Sequence, residues 1–128
     1  MPTALIIAID GPVASGKTTV GKVLAKRLGY RFLDTGLMYR AVAWSALQRQ
    51  WDPSDEEAMG ALAHSLLIGV VFDPRDPIST VMVDGFDVTS VLANPEVEQI
   101  VSIVARITEV RKAMVAAQQR IAAGGQIV

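Results

Sequence analysis

Eight consecutive residues, Gly11-Pro12-Val13-Ala14-Ser15-Gly16-Lys17-Thr18, fit the pattern G-x-x-x-x-G-K-[ST], whose chemistry is the gripping of phosphate. Gly11 and Gly16 allow backbone turns that a Cβ would obstruct, so successive N–H groups can point inward at one anion. The first turn of a following helix adds unpaired N–H donors and the positive end of its dipole. Lys17 can reach the β- and γ-phosphates of a nucleotide, and the Thr18 hydroxyl is placed to join the shell of a Mg²⁺ ion.

That chemistry needs a strand, a turn and a helix to hold it. Ala4 to Asp10 is an apolar run with the length and β-branched content of a strand buried on both faces. Val20, Val23, Leu24 and Leu28 recur at helical spacing, and Gly29 can end the helix they predict. Lys22, Lys26 and Arg27 fall to its solvated face. Tyr30 to Asp34 then predicts a second short strand that delivers Asp34 at its carboxyl end, the edge where open α/β sheets bind ligands. Capping the next turn is the alternative for Asp34.

A helix follows from Leu37 to Gln50, apolar at Met38, Val42 and Leu47 with Tyr39 and Trp44 beside them, and Trp51-Asp52-Pro53 breaks it. Ser54 and Glu57 form a capping box for the next helix, which carries Met59, Leu62 and Leu66. The lone histidine, His64, lies there and receives no role. The period then changes to that of short strands: Gly69 to Asp73, Ser79 to Val83 and Phe86 to Val88, with a turn at Pro74 to Pro77 and a two-residue hairpin at Asp84-Gly85. These predict a small antiparallel insert on a parallel α/β sheet. Asn94-Pro95 opens a helix with Val97, Ile100, Val101 and Val104. Thr108 is the expected cap of another, bearing Val110, Met114, Val115 and Ile121 and ending at Gly124-Gly125. Gln126-Ile127-Val128 has the character of a strand just begun, so the chain is expected to stop in the middle of a domain.

With 128 residues, 51% of them apolar and 20% charged, the chain suits one folded domain. A formal net charge of −1 does not point to nucleic acid or an anionic membrane as a partner. Zero cysteines exclude disulfides and thiolate metal sites and fit a reducing compartment. No run has the length of a membrane span and no basic segment opens the chain, which makes the cytoplasm the expected location.

One family carries these motifs together. The Ile-Asp-Gly-Pro entry to the glycine loop, followed by Asp34-Thr35-Gly36-Leu37-Met38-Tyr39-Arg40, resembles the cytidylate kinases, bacterial enzymes that phosphorylate CMP and dCMP from ATP. Val81 to Asp87 is similar to that family's strand-rich insert, and Pro95-Glu96-Val97, Ser102 and Val110-Arg111 recur in family order. The resemblance covers essentially the whole chain. It implies a P-loop kinase core from residues 1–35 and 108–128, truncated in a core strand, and a monophosphate-binding region from 36–107 with its insert near 69–88.

The resemblance also implies roles. Gly11, Pro12, Val13, Ala14, Ser15, Gly16, Lys17, Thr18 and Thr19 would hold the ATP phosphates, Thr18 the Mg²⁺. Lys17 would neutralise charge building on the transferred group. Asp34 would orient donors or approach the metal, and Thr35, Arg40, Ser102 and Arg111 would hold the acceptor nucleotide. A dianionic phosphate suits a bidentate arginine. On spacing alone Arg40 is a solvated helix arginine, and the motif reverses that reading. Arg111 stands evenly between ligand and surface, and Ser102 has the alternative of bonding back to a carbonyl one turn earlier.

Three features of the family are missing: the Gly-Arg-Asp segment after the strand near Gln126, the arginine-bearing lid, and the closing helices. In the family that later strand lies between the first two, so here those two are expected to lack their shared neighbour. The 128 residues alone are accordingly expected to be catalytically weak or inactive. A complete protein is expected to be a monomer acting on ATP, CMP and dCMP. The alternatives are another small-acceptor kinase of adenylate or shikimate type, and a non-catalytic nucleotide-binding module. No Asn-Lys-x-Asp base-recognition segment occurs to favour the latter.

Overall fold

The structure is a computed structural model that describes residues 5–9, 16–73 and 76–128. The expected turn at Pro74 to Pro77 falls partly outside them. The elements follow in the order α1 (Lys17–Leu28), α2 (Thr35–Gln48), α3 (Glu56–Ser65), β1 (Ile68–Asp73), β2 (Asp76–Val83), β3 (Phe86–Asp87), α4 (Pro95–Val104) and α5 (Thr108–Ala122). A short 3₁₀ turn, Thr89–Val91, separates β3 from α4.

The fold is α/β, with a short parallel seam and a separate three-stranded antiparallel sheet in the order β1-β2-β3. In the seam, Ile127 forms parallel bridges to Ile6 on one side and to Arg31 on the other. The Ile7 amide donates to the Ile127 carbonyl at 3.0 Å, and the Ile127 amide to that of Leu5 at 3.3 Å. On the far side the amides of Arg31, Leu33 and Val128 donate to the carbonyls of Gln126, Val128 and Arg31. The two early segments therefore do share a neighbour, contrary to expectation, because three terminal residues suffice to bridge them. The pairing is limited to these bridges, so neither early segment forms the longer strand its sequence predicts. Leu5 and Ile6 stay exposed, so the first segment is not buried on both faces either.

Helix α1 ends at Gly29, as its sequence indicates. Its expected apolar stripe does not face inward: Val20, Val23 and Leu28 are exposed, whereas Gly21 and Ala25 are buried. The small residues win because Gly21 lies directly under the Phe32 ring, an approach that a larger side chain would block.

Most of the core is built around α2. Met38, Ala41, Val42, Ala43 and Ala46 are completely buried, and Ser45, the only polar residue buried among the described residues, donates its hydroxyl to the Ala41 carbonyl at 2.9 Å. The alanines let neighbouring helices come close. Helix α4 packs Val97 and Val104 against this face, and α3 and α5 pack on each other through Met59, Leu62, Val110 and Met114. Each large apolar side chain so buried stabilises the fold by roughly 1.5–3 kcal/mol. Val115 is exposed although its spacing suggested the core, since the face that α5 turns inward carries Val110, Ala113, Met114, Ala117 and Ala122.

Two caps differ from expectation. Asp52 accepts from both the amide and the hydroxyl of Ser54, at 2.9 and 2.7 Å, which leaves Asp55 as the N-cap of α3 through the Ala58 amide. Thr108 is the first residue of α5 and Ile107 its cap position. Asn94 does cap α4, accepting from the Glu96 amide with Pro95 in the first turn. The Asp84-Gly85 hairpin also forms, with φ of 50° and 87°, the signature of a type I′ turn. Asp84 further accepts from the Leu67 amide at 2.8 Å. Arg31 ties the insert to the seam: one guanidinium nitrogen donates to the Gly125 carbonyl at 2.9 Å while the group stacks over Phe72, 5.0 Å from the ring centre. Arg120 adds a bond from α5 to the Ile68 carbonyl at 2.6 Å.

Gly60 marks the closest approach of α3 and α5, where an added Cβ would stand 2.7 Å from the Glu109 Cβ. Gly60→Ala therefore forces the helices apart. Overpacking of about 1–3 kcal/mol outweighs the gain of just under 1 kcal/mol in helix propensity, so the denaturation midpoint should fall; a rise would show that the two helices adjust freely.

Three exposed carboxyls sit below their ordinary values. Bonds from the hydroxyl and amide of Ser54 lower Asp52, those from the amide and side chain of Thr89 lower Asp87, and contacts with Lys112 and then His64 lower Glu109. A folded-state value below the unfolded one gives stability that is complete above the unfolded value and lost as pH falls through the folded one. Stability should therefore decline below about pH 4, and Asp87→Asn should flatten that decline in a pH series of thermal midpoints, an unchanged slope counting against it.

Candidate active site

An open cleft of about 810 Å³ lies where the seam meets the starts of α1 and α2. Ile6 to Ile9 form one wall, Ile127 and Val128 the floor, and Gln118 and Ala122 of α5 an edge. Gly16, Thr18 and Thr19 reach it from α1, and Asp34, Thr35, Tyr39 and Arg40 from α2. Residues of the glycine loop and of the Asp-Thr-Gly-x-x-Tyr-Arg motif, about 20 positions apart in the chain, thus share one space. The part of the loop from Gly11 to Ser15 lies outside the described residues, as does the side chain of Lys17.

Local chemistry explains how these pieces point. Gly16 is the N-cap of α1 and takes a left-handed conformation, φ 86°, that residues with a Cβ rarely adopt. No acidic residue occupies the first turn of α1, whose amides therefore present an uncompensated positive dipole end. Asp34 caps α2 by accepting from the Gly36 amide at 3.0 Å. Capping and lining the cleft are compatible here, since a carboxylate has lone pairs beyond the one that Gly36 occupies. Thr35 is exposed at the start of α2.

Arg40 sits one turn further along α2 and is only partly exposed. Its Nη1 donates to the Leu92 carbonyl at 3.2 Å, and its Nη2 pairs with the Glu98 carboxylate on α4. The guanidinium is thus already held in place at the cleft wall, unlike a solvated helix arginine. Two helix N-termini and an arginine face the same space, features suited to an anion, and the hydroxyl of Thr18 and carboxylate of Asp34 add hard oxygen donors beside them.

Ser102 and Arg111 stand apart. Ser102 is exposed on α4, and neither residue lines the cleft. Arg111 is exposed on α5, beside a shallow groove with Thr108, Lys112 and Val115. It nevertheless precedes Gln118 by two helical turns on the same side of α5, roughly 10 Å along the axis. Gln118 and Glu98 are the neighbours that sequence reasoning passed over. Gln118 shares the Arg111 face of α5, a signal that was available. Glu98 carried none, because its partner is on another helix. His64 meets Glu109 at 3.3 Å on the outside of the α3–α5 pair, far in role from the cleft.

Among the described residues no helix is long and apolar enough to cross a membrane. A family model for cytidylate kinase matches residues 7–128. The cytidylate kinase of Chloroflexus aggregans is 51% identical over 126 residues, covering 95% of this chain and 54% of that protein. That of Roseiflexus castenholzii is 48% identical over 132 residues, covering 100% and 56%, and that of Limosilactobacillus fermentum 45% identical over 128, covering 100% and 55%. The chain spans about half the length of the curated relatives it matches. With a family model accounting for all but its first six residues, over a cleft that unites the two motifs, the chain belongs to the cytidylate kinase family.

Proposed function

We propose that the full protein transfers the γ-phosphoryl group of ATP to CMP or dCMP, giving ADP and the nucleoside diphosphate, in the cytoplasm. The observation that carries this reading is the union in one cleft of the α1 start with Asp34, Thr35 and Arg40, in a chain matched along residues 7–128 by the cytidylate kinase model. In it, residues 1–35 and 108–128 form the phosphate-gripping core and 36–107 the acceptor region.

The division of labour follows from charge. The loop from Gly11 to Thr19 and the α1 dipole hold the donor phosphates, and Lys17 offsets charge on the group in transit. Arg40 takes the acceptor phosphate, with Thr35 beside it at the start of α2. Ser102 and Arg111 are assigned to the acceptor by the family resemblance alone, since neither lines the cleft. In-line transfer asks little covalent help of the protein, only that two anionic substrates be aligned and their repulsion screened. Thr18 and Asp34 present hard oxygen donors on the same cleft and would hold a Mg²⁺ ion there. When bound there with the nucleotide, the ion supplies further screening of phosphate charge.

Two measurements on the full-length protein test this. Lys17→Ala should collapse kcat by about 10²-fold or more with little change in CMP affinity, whereas Arg40→Ala should raise the CMP KM strongly. Like behaviour of the two variants would dissolve the donor–acceptor division. Among CMP, dCMP, UMP, AMP and shikimate as acceptors, CMP and dCMP should give the highest kcat/KM; a preference for AMP or shikimate would move the protein to a different kinase activity.

A further inference from the structure

We infer that Glu98 competes with the acceptor phosphate for Arg40, so that the acceptor site contains its own displaceable counter-ion. The inference rests on the acceptor role proposed above for Arg40. Its basis is the inequality of the two groups that hold the guanidinium. The Leu92 carbonyl belongs to a buried residue at the end of the 3₁₀ turn, a neutral acceptor fixed by the backbone. Glu98 is charged, stands on a flexible stem in the first turn of α4, and has 62% of its side chain exposed, against 26% for Arg40.

A guanidinium offers five donors in a plane, and a phosphate dianion takes two of them side by side. In the structure one Nη1 donor goes to Leu92 and the Nη2 side to Glu98. An arriving dianion therefore meets a carboxylate of its own sign seated on the group it needs. Glu98 can swing into solvent, as its exposure permits, while the Leu92 carbonyl keeps Arg40 aimed at the cleft. The cost of that exchange weakens acceptor binding, and the return of Glu98 to Arg40 favours departure of the phosphorylated product. Because Glu98 is exposed and Arg40 partly so, the exchange is sensitive to salt.

The test is calorimetric titration of CMP into the full-length wild-type protein and its Glu98→Gln, Glu98→Ala and Arg40→Ala variants, at about 50 mM and about 500 mM salt. Glu98→Gln and Glu98→Ala should each bind CMP roughly two- to fivefold more tightly at low salt, with the gain shrinking at high salt. Parity of the two variants separates competition from positioning, since only Gln retains a hydrogen-bonding group. Unchanged or weaker binding in Glu98→Gln would overturn the inference while leaving the acceptor role of Arg40 intact. If Arg40→Ala bound CMP as tightly as wild type, or if wild type bound none, the acceptor role itself would fall and the inference with it.

Discussion

Five main-chain hydrogen bonds hold residues 126–128 between the segments around Ile6 and Arg31, and the rest of the molecule takes its bearings from them. A parallel pairing of this kind points both early segments the same way, so that the chain leaves each of them at the same edge. Helix α1 follows the first and α2 follows the second. Their N-termini consequently open on one side of the seam, with its floor supplied by Ile127 and Val128. The cleft is a product of topology before any side chain is considered.

What the topology creates, a few polar groups refine. Backbone dipoles supply positive potential without adding titratable groups, in a chain whose formal net charge is −1. Asp34 serves the scaffold and the cleft at once, its carboxylate holding the start of α2. Arg40 is ordered by contacts from across the α2–α4 interface, so the helix packing that buries Val97 and Val104 also fixes a group in the site. Core and chemistry are thus connected through α4.

Much of this was legible in the sequence where the determining contacts are local. Gly29 stops α1, Asn94-Pro95 starts α4 and Asp84-Gly85 reverses the hairpin because each acts on its immediate neighbours. The two motifs bounding the cleft were legible for the same reason. Failures came where neighbours compete or where the partner is remote. Ser54 reads as a cap, yet Asp52 two residues away captures its amide and hydroxyl. The apolar stripe of α1 implied an inward face, but Phe32 across the gap accepts only the small side of the helix. Nothing in periodicity could announce the pairing of Arg40 with Glu98, or the bridging of two segments by three final residues.

The seam has a temporal consequence. It joins the Ile6 segment to Ile127, more than a hundred positions downstream, whereas α2, α3 and the hairpin find their partners over far shorter stretches. Long closures sacrifice chain entropy before they return any contact energy, so they come late in folding. The helical body condenses first, and the cleft is the last part of the molecule to acquire its shape.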